Sequence, residues 1–546
     1  MDFQRIFLLV IFSFSLFLLW DGWQKDHQPI APQVFSGTSF TPALNPSLTT
    51  MDQSTKPLNT IAVKQNAHLG EKIVVTTDNV RAEINTVGGD IIQIELLKHF
   101  DTVDKSKHFQ LFRQDNDHTY IAQSGLLGDA LPTHNSIFTS KQNNYVLSNN
   151  SDSLEVRLFW TSKSGLNVSK VFVFHKDSYL IDVGYEITNN TISKVTPSAY
   201  FQLVRDNFEP AGSTKFVPTY TGPAIYTEKD KFKKIDFESI EKNKASIPKT
   251  SDDGWIGMLQ HYFVSAWLPQ GNTPREFYAK KLDDRFYSVG VILPVKTVEP
   301  GQVANISVPL YVGPARSKLD SIAPGLGLTV DYGFLTIIAK PIFWLLTEIH
   351  GWVHNWGFAI IILTILIKLA FFPLSAASYR SMAKMRVVAP KLAKIKEQYS
   401  NDRERLNRAM MDLYKVEKIN PLGGCLPVLI QIPVFISLYW SILASVEMRY
   451  APFVGWITDL SRSDPYYVLP VIMGISMFVQ SRLNPAPPDP LQAKLMQIMP
   501  IAFSVVFFFF PVGLVLYSVV NNMLSIAQQW YITRKIEGEV KGVAKV

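Results

Sequence analysis

Apolar blocks separated by charged segments fill the last two fifths of the chain, whereas the long stretch before them carries only one such block, at its start. That first block runs from Ile6 to Trp20 behind Arg5. It is followed by Asp21, Gly22, Trp23, Gln24 and Lys25 and not by a small-residue cleavage site, so residues 1–23 read as an uncleaved anchor span. Beyond Leu335 come Trp356–Phe372, Cys425–Val446, Tyr466–Val479 and a run of 35 residues without a charge, Met496 to Trp530. As one helix that run would extend about 52 Å, well past the ~30 Å hydrocarbon core of a bilayer. Pro511-Val512-Gly513 divides it into two. Six spans are expected: 1–23, 353–374, 425–446, 466–482 and two within 496–530.

The intervening segments have different periods. Residues 24–70 are rich in Pro, Ser, Thr, Gln and Asn and read as a flexible tether. From Lys72 the texture becomes short β-type runs: Lys72–Thr77, Ile91–Leu97, Leu154–Trp160, Val168–His175, Leu180–Ile187, Tyr287–Val295 and Ala304–Val312. Gly, Asn, Asp and Pro punctuate them, which predicts an antiparallel β-sandwich over 71–330. Tyr332–Ile349 is apolar but broken by Lys340, Pro341 and Glu348, and predicts an amphipathic helix along the outer interface at 331–352. Within 375–424, Met382, Met385, Val388, Leu392, Ile395 and Tyr399 recur at helical spacing. Leu406, Met410 and Leu413 resume it after Ser400-Asn401-Asp402, predicting a basic helical hairpin. Residues 531–546 form a tail.

Composition sharpens this picture. Hydrophobic residues make up 47% and charged residues only 18%, against a usual share of about 25%. A single cysteine, Cys425, excludes an internal disulfide framework and any cysteine metal cluster. The formal charge of +7 matters less than its placement. Between Ser375 and Cys425 stand 11 basic and 5 acidic residues, in Glu447–Pro465 2 and 3, and after Trp530 4 and 2. The positive-inside rule therefore places the hairpin and both termini in the cytoplasm. The expected architecture is a polytopic α-helical membrane protein, six spans, N-in and C-in, with a large external antiparallel β-sandwich domain. The external region, 21–335, holds 31 basic and 33 acidic residues, so no DNA partner is expected.

The sandwich shows no metal-ligand histidine spacing, nucleophile elbow or phosphate-binding glycine loop, so no cofactor or metal is implied and an accessory or interaction role is favoured over catalysis. Glycan chemistry on it would need a carboxylate pair about 5–10 Å apart. Lys229, Lys231, Lys233 and Lys234 read as either an acidic-lipid contact or a solvated loop. His350 and His354, with Trp352 and Trp356, fit an interfacial aromatic belt better than a zinc site.

Within the spans Lys368 is conspicuous, with Thr364 one turn earlier on the same face. Gln431 falls in the inner half of the third span. Ser518, Asn521 or Asn522, Ser525 and Gln528 or Gln529 recur at three to four residues as a polar stripe along the sixth. Each residue alone is satisfied by an interhelical hydrogen bond, or Lys368 by snorkelling. Together they suggest a hydrated cavity open on the inner side, because the outer halves (Phe507–Phe510, Leu514–Leu516) are apolar. A channel or a solute transporter with an external binding domain, the main alternative, needs polar lining throughout, and five core spans do not divide into inverted repeats. The fourth and fifth spans are short enough to thin the bilayer locally.

Several motifs carry a family resemblance. They include Gly254-Trp255-Ile256, Met258-Leu259-Gln260-His261-Tyr262-Phe263, Asn355-Trp356-Gly357-Phe358, Ser381-Met382-Ala383-Lys384-Met385-Arg386, Asn420-Pro421-Leu422-Gly423-Gly424-Cys425, Asp464-Pro465-Tyr466-Tyr467 and Gly513-Leu514-Val515-Leu516-Tyr517. In this order they resemble the YidC / Oxa / Alb family of membrane protein insertases, Gram-negative type. The resemblance implies an energy-independent insertase and folding chaperone of the bacterial inner membrane, its large domain in the periplasm. Implied partners are nascent membrane proteins, the Sec translocon, the ribosome and the phospholipid bilayer. It also implies that Lys368 is the groove cation, standing as lysine where the familiar bacterial pattern has arginine, with Thr364, Gln431 and Tyr517 at groove or client-contact positions. Asn521, Asn522 and Ser525 join them as groove candidates, and Met382, Lys384, Met385 and Arg386 are the hairpin residues for client or ribosome contact.

Overall fold

The computed structural model describes residues 70–543 apart from 102–103, 105, 209–219, 284, 333–334, 400–401, 418–425 and 485–489. The expected anchor, nearly all of the expected tether, and Cys425 lie outside the described residues. The described chain divides into two compact units. One is β-rich, ending at Pro314 and taking up Leu319–Leu326; the other is helical, formed by Ala315–Lys318 and the chain from Gly327.

Among the described residues the β-rich unit holds a ten-stranded and a nine-stranded sheet. The pairings are antiparallel except where Lys72–Thr76 runs parallel to Asn144–Val146. All seven runs expected from alternation are strands: Lys72–Thr76, Asp90–Phe100, Ser153–Thr161, Leu166–His175, Leu180–Asn189, Phe286–Pro294 and Val303–Pro314. The larger sheet also contains Thr119–Leu127 beside Ser198–Asp206, neither anticipated. Their residues are buried almost without interruption, so the two-residue period that marks a half-exposed strand is missing. The sheets face each other, with Phe201 against Trp267 at 5.1 Å and Tyr185 Oη 2.9 Å from Ser124 Oγ. Strict alternation in Leu166–His175 points Leu166, Val168, Lys170, Phe172 and Phe174 inward, and so carries a lysine into the core.

The helical unit contains α1 (Thr336–Val353), α2 (Trp356–Ala370), α3 (Phe372–Gln398), α4 (Arg403–Val416), α5 (Leu426–Ala444), α6 (Val468–Leu483), α7 (Pro490–Phe507) and α8 (Val512–Val543). Asn355 caps α2 by accepting from Phe358 N, and Asp402 caps α4 by accepting from Arg405 N. The chain bends 66° between α2 and α3, where Pro373 follows Phe371 and Phe372. Helix α8 packs on α2, α3 and α6, while α1 packs on α2 and α5. The α3–α4 hairpin is present, closed by Lys391 to Glu417 at 2.7 Å.

Two details depart from expectation. Residues 531–543, expected as a tail, continue α8, because Ile532 packs into the Ala376–Tyr379 cluster of α3 with Ile536 beside it. By length and apolarity no single described helix suffices to cross a membrane; α2 and α3 do so only as a bent pair, and Ile430–Ala444, Val468–Leu483 and Ile498–Phe507 are shorter apolar stretches.

Candidate functional site

One end of the helical unit is sealed by the 447–465 loop. Asp464, buried, accepts from Trp456 Nε1 at 3.0 Å, from Tyr466 N at 3.1 Å and from Leu469 N at 2.9 Å, the last capping α6. The first amides of α8, Val512 N and Gly513 N, donate to Arg462 O and Leu460 O at 2.7 and 2.9 Å. Asn355 Nδ2 donates to Phe453 O at 3.3 Å, and the Phe358 and Phe453 rings meet edge-on. The starts of α2, α6 and α8 therefore share one covered end, and orphan amides that would otherwise need water are satisfied by the loop.

The polar side chains lie further along the same helices. Lys368, near the end of α2, is 8% exposed, and its Nζ donates to Ser525 Oγ on α8 at 2.7 Å. Ser525 in turn donates to Asn521 O at 2.8 Å. Tyr379 of α3, which the sequence does not single out, is buried and packs on Ile532 of α8. Among the described residues no carboxylate pairs with Lys368. One α-helical turn away on α2, Thr364 is spent on its own helix, donating to Ile360 O at 2.6 Å. Gln431 Nε2 donates to Tyr517 Oη at 2.7 Å, joining α5 to α8.

The α8 stripe resolves into single positions. Asn522, not Asn521, faces α6, with Nδ2 donating to Ser476 Oγ at 3.1 Å. Gln529 Nε2 donates to Leu483 O and Asn484 Oδ1 at 3.2 and 3.0 Å. Ser518 bonds back to Leu514 O. The structure thus brings Lys368 to Ser525 and Gln431 to Tyr517, and commits Asn522 and Gln529 to holding α6 against α8. On α3, Met382 packs with Tyr379, Arg386 Nη2 donates to Arg482 O at 3.3 Å, Lys384 is exposed and Met385 half-buried.

The β-rich unit has its own buried polar chain. Gln123 Nε2 donates to Asp90 Oδ2 at 2.7 Å, Gln202 Nε2 to Gln123 Oε1 at 2.9 Å, and Tyr278 Oη to Gln202 Oε1 at 2.9 Å. Lys170 Nζ donates to Gly88 O and Ser124 O at 2.8 and 3.3 Å. Burial pushes the Asp90 carboxyl up to about 7 despite the Lys170 charge, and pushes Lys170 down to about 8 against the pull of Asp90. His134, half-buried, is held down to about 4 by desolvation and, to a lesser extent, by the Lys170 charge. Asp90 is the one carboxylate of this chain of bonds, where glycan hydrolysis asks for two. Among the described residues no three His, Cys, Asp or Glu gather as a metal site. Elsewhere, Lys231, Lys233 and Lys234 stand not on a loop but on the edge strand Lys231–Lys234 of the nine-stranded sheet, paired antiparallel to Gly222–Thr227, with Lys231 and Lys233 bridged to Glu228 and Asp230 and Lys234 over the Tyr220 ring. His350 stacks on Trp356 at 4.0 Å.

Residues 72–345 match the family described as YidC periplasmic domain, and residues 348–539 the family described as 60Kd inner membrane protein. The chain is 54% identical to the membrane protein insertase YidC of Nitrosospira multiformis, over 100% of this chain and 99% of that protein. It is also 54% identical to the membrane protein insertase YidC of Methylobacillus flagellatus, over 98% of each. A crystal structure described as an active YidC insertase with the first transmembrane domain resolved aligns at 19% identity and a TM-score of 0.40, over 84% of this chain and 92% of that one.

Proposed function

The chain belongs to the YidC family of membrane protein insertases, and from that premise we propose that it inserts client transmembrane segments into the bacterial inner membrane through a hydrophilic groove open to the inner leaflet, alone or beside the Sec translocon, and assists their folding. The observation that carries this reading is Lys368: a buried cation among apolar helices with a serine, and among the described residues no carboxylate, as its partner. Burying a charge without a counter-ion is costly unless a ligand supplies the opposite charge. An acidic external segment of a client, on its way across, is such a ligand.

The rest of the helical unit supports one-sided access. The 447–465 loop covers the starts of α2, α6 and α8, whereas Lys368 lies in the last turn of α2 and meets Ser525 more than three turns into α8. Charge placement supports six spans with both termini inside and the β-rich unit in the periplasm. A groove reaching only part-way lowers the barrier for polar peptide from the cytoplasm and releases apolar segments sideways into lipid, a route that consumes no nucleotide. In this reading the basic α3–α4 hairpin, with Met382, Lys384, Met385 and Arg386, meets clients or the ribosome, which its basic residues and adaptable methionine side chains support.

The test is Lys368→Glu in a vesicle insertion assay with matched clients whose external segments are acidic or neutralised. Insertion of the acidic client is expected to fall at least tenfold more than that of its neutral twin. Equal effects on both would remove the electrostatic role.

A further inference from the structure

Ser525 stands where three helices meet. Its single hydrogen is committed to Asn521 O at 2.8 Å, so its oxygen serves its other neighbours only as an acceptor. An ammonium has donors alone, and Lys368 Nζ takes that oxygen at 2.7 Å from α2. From α3, Tyr379 packs against Ile532 of α8. All three side chains are buried.

Lysine is a poor choice for a fixed charge at this depth. Its four-carbon stem is flexible and its ammonium strongly hydrated, unlike the planar guanidinium of arginine. Lys368 stands five residues before Pro373, so about 7 Å of helix separates it from the inner boundary of its span. Snorkelling to lipid phosphates would satisfy the ammonium and empty the groove of its charge. Something has to hold it back, and Ser525 is the acceptor it has.

We propose that Ser525, its own hydrogen fixed on Asn521 O, is a positioning residue that retains the Lys368 ammonium within the helix bundle. This rests on the reading of Lys368 as the groove cation.

The experiment uses the full chain in proteoliposomes whose cytoplasmic side is accessible. A membrane-impermeant amine-acylating reagent is added, and acylation of Lys368 is followed by peptide mass spectrometry. Ser525→Ala is expected to accelerate acylation about tenfold, the scale of losing a hydrogen bond to a charged group. Ser525→Thr, which keeps a hydroxyl, restores the slow rate. Equal rates for the parent chain and Ser525→Ala overturn the proposal. The client-charge ratio is measured in parallel and separates the two claims. If Ser525→Ala frees the amine but leaves the ratio of acidic to neutral client insertion unchanged, the anchor stands and the role of Lys368 in selectivity falls. If Lys368→Gln collapses the ratio while acylation ignores Ser525, the groove cation stands and the anchor falls.

Discussion

Replacing Asp90 by asparagine in the β-rich unit has a calculable consequence. The carboxyl is 5% exposed, accepts one hydrogen bond from Gln123, and is raised from 3.8 to about 7 mainly by burial. Between these values the folded chain holds a proton that the unfolded chain has released. The stability this gives is fully present below about 3.8 and is lost as the pH rises through about 7. Integrated from pH 4.5 to 7.5, the loss is about 3 kcal/mol. Lys170 acts with the opposite sign. Depressed to about 8, it contributes stability that is present above 10.5 and lost as the pH falls through about 8. The two together put a stability minimum near neutral pH. The substituted side chain keeps a carbonyl for Gln123 but cannot ionise, so the acid limb should vanish, while the alkaline limb persists and moves to lower pH because the Asp90 charge no longer pulls Lys170 up. Pulse proteolysis of the detergent-solubilised full chain in urea, scored on the β-rich unit, measures both. Parallel pH profiles for the parent and Asp90→Asn chains would refute the assignment.

Other expectations follow from single contacts. Arg275, 1% exposed, donates to the carbonyls of Thr273, Gly254, Pro269, Asp252 and Gly271; Arg275→Lys should cost about 3 kcal/mol in the same assay, since an ammonium cannot reach them all. At Gly290 a Cβ would stand 2.4 Å from Tyr278 Oη and 2.6 Å from Phe201 O, so Gly290→Ala should destabilise the unit by about 1–3 kcal/mol, read as a lower urea midpoint. In the helical unit, a thermal double-mutant cycle on Asn522→Ala and Ser476→Ala should return a coupling of about 1 kcal/mol, whereas Asn521→Ala with Ser476→Ala should return none.

Much of this arrangement was legible in the residues. Charge-free blocks, Pro511 and the Ser400-Asn401-Asp402 break marked the helices, because burial in an apolar medium and helix punctuation leave one-dimensional traces. Alternation marked strands with unlike faces. It failed for Ser198–Asp206 and Thr119–Leu127, where both faces are covered and Gln123, Gln202, Arg205 and Asp206 are polar without being on the surface. The α8 stripe left Asn521 and Asn522 as equals; only the packing of α6 distinguishes them, through Ser476. Tyr379 went unnoticed among the basic residues of α3, although Ala376, Tyr379 and Ala383 recur at helical spacing and share a buried face. That Ser525 is the partner of Lys368, 157 residues away in sequence, is a tertiary fact with no local trace.

The central claim is that this chain inserts membrane proteins by itself. Purified and reconstituted into liposomes without nucleotide, it should protect a small two-span client, synthesised outside, from added protease well above the level of empty liposomes. Protection no greater than that of empty liposomes, with the protein correctly oriented, would contradict the account.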